Sequence, residues 1–196
     1  MEAAATASRH PIRLRVTDDL RRSRLTVFFR LLLVIPHLIW LTLWAIIALL
    51  AAIVNWFATL FGGRSPKGLH DFLARFLVYS THVTAYLMLI ANPYPGFAGK
   101  PGYPVDLEVD PPQRQNRWKT GFRLILVIPA HLLTSILQNL LGLLAVLAWF
   151  VSLILGREPA GMRNLSAYCV RYQQLTHGYL LLLTDRYPSL NFPLVE

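Results

Sequence analysis

The sequence predicts a mainly α-helical membrane protein made of two tandem, pseudo-symmetric units. Each unit carries a short N-terminal β-strand, a long apolar helical run and an amphipathic helix, giving about four transmembrane crossings. Three observations predict it. The 196 residues have a mean hydropathy of +0.44, above that of an ordinary soluble domain. Residues 25–61 and 122–155 hold almost nothing ionisable except Arg30 and Arg123, and each exceeds the ~20 apolar residues that span hydrocarbon. Sliding the chain by 93 positions aligns Phe29-Arg30 with Phe122-Arg123, Ile35-Pro36 with Ile128-Pro129, Trp56-Phe57 with Trp149-Phe150, and Tyr94-Pro95 with Tyr187-Pro188.

The match runs without a gap over about 88 residues and includes the prolines and glycines that punctuate a backbone. It divides the chain into a disordered N-terminus (1–9), unit 1 (10–97), a linker (98–102), unit 2 (103–190) and a C-terminal tail (191–196). Each unit opens on an alternating segment, "HPIRLRV" or "YPVDLEV", whose period of two marks a strand with Ile12, Leu14 and Val16, or Val105, Leu107 and Val109, on one face. Opposite faces differ in sign. Arg13 and Arg15 stand where the second copy has Asp106 and Glu108, so the two strands are expected to pair through cross-strand ion pairs among these four residues.

The apolar run follows. As one straight helix, residues 25–61 would reach roughly 55 Å, nearly twice the ~30 Å of hydrocarbon, so a bend or turn is expected. Pro36 and Pro129 favour a kink, and Gln138, Asn139 and Gly142 would suit a turn. Two layouts satisfy this, a tight hairpin within the run or one long kinked span, and the placement of Arg64, Lys67 and Arg157 beside the other basic clusters favours the hairpin. After "GGRSPKG" or "LGREPAG" comes the third part, residues 69–91 or 162–184, polar in its first half and apolar in its second. It either lies along the interface or returns across the bilayer. Both layouts enter twice from one side, so the copies are expected to be parallel repeats about an axis along the membrane normal.

A formal net charge of +9 sits almost wholly outside the apolar runs, in the clusters Arg21-Arg22-Ser23-Arg24 and 114–119 and in Arg64, Lys67, Arg157 and Arg163, as expected of a cytoplasmic face meeting anionic lipid. No basic helix with interleaved aromatics supports nucleic acid as the partner. "MEAAATASRH" lacks a cationic head followed by an apolar region, so insertion is expected to rely on the internal runs. One cysteine, Cys169, excludes an internal disulfide and a cysteine-built zinc site.

The pattern "HPIRLRV…RLTVFFRLLLVIPHLIWL…WFATLFGGRSPKGLHDF…TAYLMLIANPYPGF", repeated as "YPVDLEV…FRLILVIPAHLL…WFVSLILGREPAG…HGYLLLLTDRYPSL", resembles the bacterial membrane family catalogued as domain of unknown function 4389. The resemblance covers nearly the whole chain after about residue 9. It implies a membrane-embedded unit of bacterial source and supplies no activity. Two departures stand out: "ANPYP" in the first copy against "TDRYP", and Asn164 in the second where the first has Asp71.

The arginines inside the runs lie about two turns past basic clusters, where a side chain can snorkel to the phosphates. The functional form of that reading makes Arg30, Arg64, Arg123 and Arg157 lipid-headgroup-binding residues in paired anionic sites; plain anchoring and a buried ion pair are its rivals. Trp40, Trp44, Trp56, Tyr79, Trp149 and Tyr172 read as an interfacial aromatic belt. No histidine has a second ligand at i, i+4, no serine sits in a catalytic signature, and "FGGRSPKG" lacks the ending of a phosphate loop, so neither metal, cofactor nor catalytic residues are expected. The expected function is therefore a non-enzymatic scaffold or accessory subunit of a larger membrane complex, in the bacterial inner membrane with both termini cytoplasmic and with lipids and membrane proteins as partners. An anionic-lipid-binding or lipid-transfer module is the alternative. A membrane enzyme or small transporter would draw on Gln138 and Asn139.

Overall fold

A computed structural model describes residues 10–190; the expected disordered N-terminus and C-terminal tail lie outside the described residues. The elements are β1 (Ile12–Val16), α1 (Arg24–Phe28), α2 (Arg30–Gly62), α3 (Lys67–Leu87), β2 (Val105–Val109), α4 (Arg117–Gly121), α5 (Arg123–Leu126), α6 (Ile128–Leu155) and α7 (Ala160–Leu180).

The strands pair antiparallel, with Leu14 opposite Leu107, its counterpart 93 residues on, and Ile12 opposite Val109. Alternation turns Ile12, Leu14, Val16, Val105 and Leu107 inward, onto α3 and α7. The contact is close. Gly178 on α7 has no side chain because Ile12 and Leu77 occupy the place where one would stand. α3 directs His82 toward the sheet and Phe72, Phe76 and Tyr79 toward Trp44 of α2. The sheet thus covers one side of the α3/α7 pair, while α2 packs along α3 and α6 packs along α7.

From Arg30 onward the long run of the first copy is one continuous helix. α2 passes through Pro36, and α6 passes through Gln138, Asn139 and Gly142 without turning, so the hairpin layout is corrected. Pro36 lies inside α2, where it forgoes the bond to the Leu32 carbonyl, and a separate break falls upstream at Phe29, where φ and ψ of −88° and 6° end α1. In the second copy the break falls at Phe122 and again before Pro129, which stands in the first turn of α6 where its missing N–H has no intrahelical partner to lose. Both long helices stop at a left-handed glycine, Gly63 (φ 70°) or Gly156 (φ 68°), whose N–H bonds back to Thr59 or Ser152.

Each long helix ends beside the start of the other copy's run. The Trp56 Nε1 donates to Thr120 O at 2.9 Å, and its counterpart Trp149 donates to Val27 O at 3.1 Å. The backbone repeats the exchange, with Gln115 N to Gly63 O and Arg22 N to Gly156 O. Five of the six expected belt aromatics therefore pack within the fold, these two tryptophans together with Trp44 and buried Tyr79 and Tyr172, while Trp40 is exposed.

The polarity of the long helices is inverted. The stripe of α2 that meets the protein includes Arg30, His37, Asn55 and Thr59, and that of α6 includes Thr134 and Ser152, while Leu31, Ile39, Ile46, Leu50 and Ile53 point outward. Among the described residues these two runs, Arg30–Gly62 and Arg123–Leu155, are long and apolar enough to cross a membrane; α3 and α7 are not among them.

Candidate functional site

The two arginines that open the runs are buried inside the protein, each 1% exposed. Arg30 donates through Nη1 to Tyr86 O at 2.7 Å and Ala91 O at 3.0 Å, and its guanidinium lies 4.4 Å from the Tyr86 ring centre. Arg123 repeats this on Tyr179 O and Thr184 O, 4.2 Å over the Tyr179 ring. Tyr86 and Tyr179 stand in the last turns of α3 and α7, where carbonyls lack intrahelical donors and the helix dipole favours a cation, and Ala91 and Thr184 follow in the loops just beyond. Each arginine is a helix-end clamp. Headgroup contact by Arg30 and Arg123 is thereby corrected, because their guanidinium groups are buried and their Nη atoms are turned to acceptors of the protein.

A second cation completes the clamp in unit 1. Arg22 donates to Leu89 O at 2.9 Å and Ile90 O at 3.0 Å, and pairs with Glu158 at 2.8 Å and Asp18 at 2.7 Å, all three side chains nearly or wholly out of solvent. One guanidinium thus faces two carboxylates. Burial, partly offset by Arg22, raises the Glu158 carboxyl to about 7, and Asp18 adds to that rise. Unit 2 replaces the cluster by neutral groups. Gln115 donates to Leu182 O and accepts from Arg123 at 2.9 Å, and Ser65, the counterpart of Glu158, donates to Asn55 Oδ1 at 2.6 Å. Asn92 and Asp185 both reach the clamp, at 3.4 Å from Arg30 and 3.3 Å from Arg123, so amide and carboxylate share the position. Sequence reasoning counted Arg22 with its neighbours as surface charge and missed its partners.

Arg64 and Arg157 are exposed. They lie at the far ends of α2 and α6 from Arg30 and Arg123 respectively, so Arg30 and Arg64 do not share one site. Instead each joins the start of the other copy: Arg64 bridges to Arg114 through the backbone, and Arg157 to Arg21. Arg117 lies against Gly63 and Arg24 against Gly156, which gives an exposed basic cluster at both ends of each long helix.

On the outer face of the sheet, Arg13 pairs with Glu108 at 3.3 Å and Asp110 at 2.9 Å, and Arg15 with Glu108 at 3.0 Å. Asp106, opposite Arg15 in the register, turns instead to His82 at 2.9 Å. Burial would raise its carboxyl, but His82 and the N–H groups of Gly102 and Leu107 outweigh burial and hold it below the usual range.

The family model described as Domain of unknown function (DUF4389) matches residues 24–98 and 117–191. The chain belongs to that family. It holds two tandem copies of the DUF4389 unit, and the matched segments each begin at the helix that precedes a clamp arginine and continue past the carbonyls it binds. No curated protein and no solved structure matches the chain.

Proposed function

We propose that the protein is a non-enzymatic scaffold seated in one leaflet of the inner membrane, with α2 and α6 in hydrocarbon and the sheet in the cytoplasm, where it meets a protein partner. The inverted polarity of the two long helices carries the membrane part of this reading: a water-soluble protein has no reason to bury Asn55 and Thr59 while exposing Ile46 and Leu50.

The one-leaflet part rests on geometry and charge. Counterpart contacts recur at an offset of 93, and Leu14 faces Leu107, which supports a pseudo-twofold axis through the sheet. That axis exchanges the two ends of the α2/α6 layer. Were the helices upright, it would lie in the membrane plane and put the sheet, with Arg13, Arg15, Glu108 and Asp110, at mid-bilayer, where charge is most costly. An axis along the membrane normal instead sets the basic clusters at both helix ends to one depth, level with anionic headgroups. Arg64 and Arg157 then serve as headgroup contacts, and four crossings become unnecessary.

Cysteine accessibility separates the layouts. Ser23→Cys and Arg64→Cys flank α2, and the native Cys169 is buried. With a membrane-impermeant maleimide, both introduced thiols should react in inside-out vesicles and neither in right-side-out ones. Reaction from opposite sides would establish α2 as a span and end the one-leaflet reading.

A further inference from the structure

A cleft of about 480 Å³ opens between α2 and the α3/α7 pair, and one of about 580 Å³ continues from it along α2; the two share Ala45, Phe76, Leu180 and Leu181. Each is of ligand size. The lining of the first part includes polar groups, Ser80 and Thr84 from α3, Gln173, Gln174 and His177 from α7, and Thr42 from α2, of which Gln174 is buried. The second is apolar, a slot left where α2 carries Ala48 and Ala52 and bounded by Trp56 and Phe57. At the counterparts of Ala45 and Ala48 the second copy has the larger Gln138 and Leu141, so the two faces are not alike.

The polar end has an unmet need. Gln174 is 1% exposed, lines the cleft, and its Oε1 has no partner among the described residues. A buried amide oxygen without a donor costs about 1–3 kcal/mol, so a donor from a ligand would be stabilising. Ser80 and Thr42 direct their hydroxyl hydrogens to Leu77 O and Leu38 O, leaving acceptor lone pairs available. No Asp, Glu, Lys or Arg lines either part.

We infer that this cleft binds an acyl lipid with a small, uncharged, hydroxyl-bearing head of the diacylglycerol kind. Its hydroxyl donates to Gln174 and one chain lies in the alanine slot. A quinone head, which only accepts, would leave Gln174 unmet, and an anionic head would meet no cation. The inference rests on the membrane seating proposed above, since α2 must face hydrocarbon for a chain to enter from the bilayer.

The test uses the full chain in nanodiscs containing diacylglycerol with a photoactivatable diazirine on one chain, read by mass spectrometry of the adducts. Adducts should concentrate between Ala45 and Phe57 and at Leu180 and Leu181. Gln174→Leu should lower their yield roughly five- to tenfold, the loss expected for one hydrogen bond. Ala52→Phe, at a half-buried position, blocks the slot and decides the matter even if Gln174→Leu does not fold. Adducts spread evenly over the outer faces of α2 and α6, an equal yield with diazirine-labelled phosphatidylglycerol, or an unchanged yield in Ala52→Phe would overturn the inference. Co-flotation with vesicles reports separately on membrane seating, so its failure is distinguishable from failure of the cleft.

Discussion

Replacing Arg30 by alanine removes a clamp, and the cost follows from its partners. Two charge-assisted bonds, to Tyr86 O at 2.7 Å and Ala91 O at 3.0 Å, disappear together with the contact over the Tyr86 ring. At ~1.5–3 kcal/mol per bond and ~1–2 for the ring, the gross loss is about 4–8 kcal/mol. Against this, the variant no longer buries a guanidinium, which recovers several kcal/mol. A net destabilisation of about 2–4 kcal/mol remains, or roughly 4–16 °C in Tm for a chain of this length. Tryptophan fluorescence during heating in mild detergent would read it. Arg123→Ala should lose at least as much, because Arg123 also holds Gln115 and faces the Asp185 carboxylate where Arg30 faces the Asn92 amide. Arg30→Lys should fall between, since an ammonium can meet the two carbonyls that Nη1 meets but loses the Nη2 contact to Asn92 and the flat stacking on the Tyr86 ring. A Tm change below about 2 °C in Arg30→Ala, accompanied by weaker binding to anionic vesicles, would refute the clamp and return the residue to the headgroup layer.

Gly178→Ala places a methyl where Ile12 Cδ1 lies and 3.4 Å from Leu77, so it should cost about 1–3 kcal/mol despite alanine's better helix propensity. Ile12→Val in the same chain removes the overlapping atom and should restore most of the loss, measured as Tm; no rescue would locate the strain elsewhere. Glu158 gives a pH dependence with a definite sign. Its carboxyl titrates at about 7 in the fold and near 4.5 when unfolded, so the unfolded chain ionises first and stability should fall as pH rises from about 4.5 to about 7, by about 3 kcal/mol. Glu158→Gln keeps an acceptor for Arg22 and should abolish that slope; parallel Tm curves for the two proteins between pH 5 and 8 would show that another group is responsible.

The repeat, the strands and the apolar runs were legible in the sequence because each leaves a periodic trace: an offset of 93, an alternation of two, or an unbroken hydropathy. What escaped depends on partners remote in the chain. Arg22 reads as one of three clustered arginines, yet Glu158, 136 residues away, makes it a core residue while Arg21 and Arg24 stay exposed. Gln138 and Asn139 suggested a turn because polar side chains within an apolar run suit turns; both are exposed on α6, where a continuing helix satisfies their backbone internally. Arg30 suggested snorkelling because the nearest charges along the chain are basic. Its acceptors, the carbonyls of Tyr86 and Ala91, belong to backbone and carry no signature in side-chain composition.

The two copies differ where a set of groups can be exchanged whole, and agree where one group cannot be spared. Asp18, Arg22 and Glu158 stand opposite Pro111, Gln115 and Ser65, and the two sets are held differently, the first by charge and the second by amide and hydroxyl. Converting Gln115 alone to arginine would bring a second buried cation beside Arg123 with no carboxylate at position 65 to meet it, so the exchange is costly unless the members change together. Arg30 and Arg123 have no such substitute, because the site asks one cation to meet two carbonyls through Nη1, a side-chain acceptor through Nη2 and a tyrosine ring through its plane. A charge in each apolar run is therefore retained by the backbone geometry of the third segment, and the lipid outside need never touch it.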